Sequence, residues 1–487
     1  MKVILYVLDS LRADHLSCYR YSKKTSPNID ALAAEGVIFE NAFSASTWTR
    51  PSASSILTGL YPLRHGVETF HSTLSKKLPK ITTILQSENY TCAAFSTIVQ
   101  VSKNFGFDHG FEEFYELFRD GNDLHDEAGT GETKGLLPSS EDLNTALFPW
   151  LEKHAKEDFF VLAWSIDTHV PYRVAVEKAQ FVDKYFKTRE MEIDYKANTY
   201  TPDELKYIKQ LYESCIYYND QQIGKLCAFL KEMEIYDDCL IIVIGDHGEV
   251  FNEHLDPKNN LGQRVSSVKD FFSAPKNGTS GFYGRRGHII VPPYDEDIHV
   301  PLICKFPGNE FGGKRVSHLA SLVDVTPTIL NFVGGNAALK QSNFDGKTLI
   351  PYLNKASQPN PDEVVYCSGK SYPSCPAYYC IRNHDWKYIL TEPPGASFRH
   401  FLKDKLNYSI GYLRHRFLLA NEVLYNLKTG SEDQNVLESH PEIAEMFRRK
   451  MADWRNRCEN RQQEPVFQVT ELDEINERQL RALGYTN

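Results

Sequence analysis

Three largely apolar runs, two of them unbroken, limit what this chain can fold into. They are Val3-Ile4-Leu5-Tyr6-Val7-Leu8, Phe159 to Ile166, and Cys239 to Ile244. A strand with one wet face alternates polar and apolar side chains. A continuous run of this length reads instead as a strand covered on both faces, as in a parallel sheet between helical layers. Each run stops at polar residues: Asp9 after the first, Asp167-Thr168-His169 after the second, Asp246-His247-Gly248-Glu249 after the third. In open α/β sheets ligands bind in the crevice outside the carboxyl ends of the strands. Asp9, Asp246 and His247 are therefore predicted to point into one crevice.

The chain has 487 residues, which predicts one large domain and a smaller one. Residues 1–350 hold the apolar runs, and Pro202 opens a long helical pattern through Leu205, Ile208, Leu211, Ile223 and Leu230. Beyond about residue 350 the pattern turns to short strands, including Glu363 to Cys367, Tyr378 to Arg382 and Lys387 to Leu390, closed by a helix from Pro441 to Trp454. That is α+β composition for residues 351–487. Phe105 to Asp142 reads as an acidic, Gly-rich surface loop or partial lid, and Val174 to Tyr200 as an excursion over the site. Residues 255–287 carry Lys, Arg, Gly and Ser without an apolar period, which predicts a long insertion over the pocket.

With 64 acidic against 54 basic residues the formal charge is −10, which argues against a sequence-independent nucleic-acid binder. No apolar run approaches the length of a membrane span and no signal peptide is visible. Cys92, Cys215, Cys227, Cys239 and Cys304 lie within apolar runs and read as reduced core residues, so a cytoplasmic location is expected.

The stretch Ser46-Thr47-Trp48-Thr49-Arg50-Pro51-Ser52 up to Leu57-Thr58-Gly59 reads as a loop turning into a helix, with Pro51 suited to the first helical position. The residues from Ser52 on would offer backbone N–H groups to an anion, and Thr49 would hold a hydroxyl just ahead of them.

Taken with Val3 to Arg12, Asp167 to Tyr172 and Gly245 to His254, this stretch resembles the sulfatase family of the alkaline phosphatase superfamily. The family's nucleophile is a modified Cys or Ser in a Cys/Ser-x-Pro-Ser-Arg motif, and counting back from the Gly of Leu57-Thr58-Gly59 lands on Thr49. Pro27-Asn28-Ile29-Asp30, Tyr61 to Gly66, and Tyr294 to Leu302 are also family-like. The resemblance implies a mostly parallel central sheet flanked by helices, with a smaller α+β C-terminal subdomain. It further implies one divalent cation (Ca, Mg, Mn or Zn) held by Asp9, Thr49, Asp246 and His247, a donor set that suits such ions.

Within that resemblance Thr49 is the expected nucleophile. His169 is the expected contact to the transferred group or donor to the leaving oxygen. Arg50 and His288 are candidate substrate contacts. Several family residues are missing: the second Asp of the Asp-Asp pair is Ser10, the motif Arg is Ala53, and no Gly-Lys-x-His element is recognisable between Ser96 and Ser102. Threonine at position 49 leaves no residue for conversion to formylglycine. Three readings follow: a hydrolase of a small sulfate or phosphate ester, leaning towards phosphoester or phosphonate; a transferase passing the Thr49-bound group to an alcohol; and an anion-binding relative without turnover. A second metal held by Asp167, His169 and His288 is a minor variant of the first.

Overall fold

The computed structural model describes residues 1–119, 137–174, 178–188, 193, 200–251, 253, 292–334, 343–354, 359–370, 376–392, 422–430, 432–461 and 472–483. The three apolar runs form the centre of a mostly parallel, eight-stranded sheet. They are β1 (Lys2–Leu8), β5 (Phe159–Ser165) and β6 (Cys239–Gly245), each buried along its whole length. With β2 (Val37–Phe43), β3 (Thr91–Ser96), β4 (Glu113–Glu116), β7 (Leu302–Lys305) and β8 (Lys314–Ser321) the order is β4-β3-β5-β1-β6-β7-β2-β8. Only β7 runs against its neighbours, β6 and β2.

Register positions the site. Leu8 at the end of β1 pairs with Ser165 on one side and Gly245 on the other, so three strands finish level. The residues that follow, Asp9, Ile166 and Asp246, therefore leave the sheet at one edge. Both faces are covered. Val3, Leu5 and Val7 pack in a cluster with Ile56 and Leu57, while Ile4, Tyr6 and Leu8 pack with Leu211, Ile223 and Leu226 of the long helix Pro202–Glu232. Each such fully buried aliphatic contributes about 1.5–3 kcal/mol relative to exposure. The long helix starts on Pro202 after Thr201, whose hydroxyl accepts from Glu204 N–H while the Glu204 carboxylate takes Thr201 N–H, a reciprocal cap.

The stretch read as a loop from Phe105 begins otherwise. Glu113–Glu116 is an edge strand parallel to β3, with Phe114 buried. Four residues carry too short an alternation to announce themselves. The predicted insertion at 255–287 lies outside the described residues.

A second sheet, wholly antiparallel, contains β9 (Val365–Gly369), β10 (Ala377–Arg382), β11 (Trp386–Glu392) and β12 (Glu422–Asn426) in the order β12-β11-β10-β9. Helix Pro441–Glu459 packs Phe447, Met451 and Trp454 against one face of it. Edge strand β9 meets the loop before Thr49: Ser368 N–H donates to the Ala45 carbonyl at 3.0 Å. A side chain at 369 would crowd this contact, because a Cβ there would lie 2.6 Å from Thr47 Oγ1. The nine cysteines among the described residues are unpaired, and no described helix is long and apolar enough to cross a membrane.

Candidate active site

Asp9, Asp246 and His247 converge at the level strand ends, all fully buried, with one ligand atom from each within 4.8 Å of the others. His247 Nε2 lies 3.7 Å from Asp9 Oδ1, 3.4 Å from Asp246 Oδ2 and 3.2 Å from Thr49 Oγ1. The Thr49 hydroxyl is 3.5 Å from Asp9 Oδ2. The structure thus brings together the four residues that the sequence puts on a cation.

The donor set fits a cation on two further observations. His247 Nδ1 lies 2.8 Å from the Gly248 carbonyl, so that nitrogen carries the proton and donates. Nε2 then turns a lone pair towards two carboxylates, an arrangement that calls for positive charge between them. Asp246 Oδ1 accepts from Ser10 N–H at 3.0 Å and His247 N–H at 2.9 Å, but Oδ2 accepts no hydrogen bond among the described residues although buried. Burial, and then the neighbouring Asp9, hold the Asp246 pKa well above the carboxylate range. Ser10, in place of the family's second acid, stands at a left-handed φ of 59° and donates its hydroxyl to Asp9 Oδ1 at 3.1 Å.

Thr49 opens helix α2 (Thr49–Thr58) itself, with Trp48 as N-cap. Pro51 is thus the third helical residue, not the first; its missing N–H costs nothing in the first turn. The first intrahelical bond runs from Ser52 N–H to the Trp48 carbonyl, so the N–H groups unused inside the helix are those of Thr49 and Arg50, earlier than predicted. The helix closes at Gly59, φ 66°, whose N–H returns to Ser55.

Arg50 is not placed as predicted. Its guanidinium is fully buried, with Nε and Nη2 donating to Gln100 Oε1, Nη1 donating to the Phe70 and Ser72 carbonyls, and its plane 3.4 Å over the Phe105 ring. A guanidinium so committed braces helix α2 against the 97–105 loop and cannot also clamp a substrate. His288 lies outside the described residues. Asp167, the minor second-metal candidate, accepts from both the N–H and hydroxyl of Ser140 and so holds the start of helix Ser140–His154; burial raises its pKa to about 6. Among the described residues Asp9, Asp246 and His247 are the one group that could hold a metal.

His169 sits in the turn after β5, where its N–H donates to the Ile166 carbonyl, and is buried. Its Nδ1 lies against the Val170 carbonyl. Beside it is Glu249, a residue the sequence reading left without a role: burial raises its pKa to about 7, offset in part by His169. Trp164 was also missed. Its indole N–H donates to Asp9 Oδ2 at 3.0 Å from inside an apolar run.

The level strand ends, the hydroxyl at a helix start and the two-carboxylate, one-imidazole set make a candidate cation site on a sheet of the kind found in sulfuric and phosphoric ester hydrolases. The family model described as Sulfatase matches residues 2–335, and the chain belongs to that family. It is 23% identical over 472 residues to an ulvan-active sulfatase of Formosa agariphila, covering 93% of this chain and 79% of the relative. It is 24% identical over 389 residues to human iduronate 2-sulfatase, covering 69% of each. In structure it is similar to the phosphonate monoester hydrolase of Agrobacterium radiobacter, with TM-score 0.64, 17% identity, and 94% and 96% of the two chains covered.

Proposed function

We propose that this sulfatase-family hydrolase cleaves a small phosphate or sulfate ester, leaning towards phosphoester or phosphonate, through a covalent intermediate on Thr49. The observation that carries the reading is the Thr49 hydroxyl 3.5 Å from Asp9 Oδ2 and 3.2 Å from His247 Nε2, at the start of a helix. Asp9, Asp246 and His247, with Thr49, would hold one divalent cation. When bound, it supplies positive charge that offsets the charge developing on the ester and favours ionisation of the hydroxyl.

The chain's own groups do the rest. Thr49 Oγ1 forms the new bond to phosphorus or sulfur as the bond to the leaving oxygen breaks, and its proton is lost to solvent water. His169 protonates the leaving oxygen. The N–H groups at the start of α2 face the charge that develops. Water then attacks the Thr49 ester, releasing the acid and restoring the hydroxyl. The lean towards phosphorus is supported by the changed anion contacts: Ala53 stands at the motif Arg position, and Gln100, in the stretch expected to carry Gly-Lys-x-His, binds Arg50.

The test is a panel of aryl phosphate mono- and diesters, phosphonates and sulfates, run beside metal analysis and peptide mass mapping of residues 46–59. Metal-dependent turnover of at least one class with an unmodified Thr49 is expected. An aldehyde at position 49, or turnover untouched by chelation, would overturn the reading.

A further inference from the structure

We propose that Trp164 is a positioning residue for the cation site, holding Asp9 in the orientation that meets Asp246 and His247. The inference rests on the reading of Asp9, Asp246 and His247 as ligands of one divalent cation. Trp164 is fully buried and pairs with Val7 across the β1–β5 ladder, two residues before Asp9. Its Nε1–H donates to Asp9 Oδ2 at 3.0 Å. The end of β5 grips the other polar groups of Asp9 as well: Asp9 N–H donates to the Ser165 carbonyl at 2.9 Å, and the Thr168 hydroxyl donates to the Asp9 carbonyl.

The chemistry of the donor matters. The Ser10 hydroxyl, which donates to Asp9 Oδ1, and the Thr49 hydroxyl near Oδ2 can both rotate and can both accept. An indole N–H can only donate, and a ring packed within the core cannot swing away. Trp164 therefore fixes one lone pair of Oδ2 and leaves the other directed at the site. Among the described residues Asp246 has no such side-chain donor; its Oδ1 is held by two backbone N–H groups instead. Where Ser10 replaces an acid, fewer ligands must do the binding, and the orientation of each counts for more. A hydrogen bond of this kind to a ligand is typically worth about 10–100-fold in metal affinity.

The test uses the full chain, stripped with chelator and titrated with Ca²⁺, Mg²⁺, Mn²⁺ and Zn²⁺ by calorimetry and by chelator competition. Trp164→Phe removes the N–H and part of the ring. Benzothienylalanine at position 164 removes only the N–H, keeping the shape, and so separates hydrogen bonding from packing. Both proteins are expected to bind about 10–100-fold more weakly, with the benzothienyl protein still unfolding in one cooperative transition in EDTA. Wild-type affinity in the benzothienyl protein would overturn the proposal and reduce Trp164 to a packing residue. A wild-type chain that binds none of the four ions, or an Asp246→Ala chain that binds as well as wild type, would sink the cation reading itself, and this proposal with it.

Discussion

At the scale of single residues, two threonines in one loop make opposite predictions. Thr49 Oγ1 is within 3.5 Å of Asp9 and His247, whereas Thr47 Oγ1 lies over Gly369 and has no hydrogen-bond partner among the described residues. Thr49→Ala is expected to lower kcat by on the order of 10³-fold or more with melting unchanged. Thr49→Ser should keep measurable activity, and Thr47→Ala should stay near wild type; the opposite pattern in steady-state kinetics would place the nucleophile at 47. His65 carries a pH prediction. Its Nδ1 accepts from Val67 N–H, its Nε2 donates to Ser55 Oγ, and burial lowers its pKa to about 3. The ring is neutral in the fold and takes a proton in the unfolded chain near its ordinary 6.5, so the unfolded state binds more protons between those values. Stability from this group is present above about pH 6.5 and falls with acid, by up to about 1.4 kcal/mol per pH unit. Urea unfolding at pH 7 and pH 4.5 should show a smaller loss in His65→Gln than in wild type.

At the scale of elements, a C-terminal helix braces the 97–100 loop that holds Arg50, the neighbour of Thr49. In helix Glu474–Ala482, Gln479 donates to the Thr97 carbonyl at 3.0 Å and accepts from Val99 N–H, and Leu480 and Leu483 enter the core. The same loop carries Gln100, the partner of Arg50, the residue after Thr49. Gln479→Leu leaves a buried N–H and a buried carbonyl unpaired, an expected cost of about 1–3 kcal/mol each. Denaturant midpoints measure that cost, and a normal midpoint would show that the loop stands without the helix. This support was not legible in the sequence, because the helix is mostly polar and buries few side chains. The strand ends were legible: uninterrupted runs followed by Asp9 and Asp246 admit little besides parallel neighbours with a common edge. Strand β2 was missed since Glu40 and Asn41 interrupt its apolar pattern. Arg50 was misplaced because a charge beside a nucleophile says nothing about which side of the helix it leaves from. Trp164 was hidden because its ring belongs to the apolar pattern while its N–H belongs to the site.

At the scale of the molecule, a buried charge network joins the second sheet to the active-site edge. Lys387 of β11 is fully buried, with Nζ 2.8 Å from Asp295 and 2.7 Å from Glu432, while Arg382 of β10 makes two contacts to Asp295. Asp295 begins the short helix Asp295–Ile298, whose carbonyls receive the turn after His247: Gly248 N–H donates to Asp297 O at 2.7 Å and Glu249 N–H to Glu296 O at 3.1 Å. The second sheet therefore holds the helix that holds the turn after His247. Removing one partner from a buried ion pair strands the other charge, which costs about 3–5 kcal/mol, although the intact pair itself contributes little. Lys387→Met is expected to destabilise by that amount and to expose residues 376–461 to limited proteolysis before the large sheet yields. Glu432, whose pKa burial already raises to about 7, should then titrate higher still, since Lys387 is the charge that lowers it. The raised value means that ionised Glu432 opposes folding, so Lys387→Met should lose stability further as pH rises through 7. Adding Glu432→Gln to Lys387→Met removes one stranded charge and should recover part of the loss and flatten its rise with pH. A double variant no more stable than Lys387→Met, with the same proteolysis pattern and pH profile, would show that the two sheets are joined by packing alone.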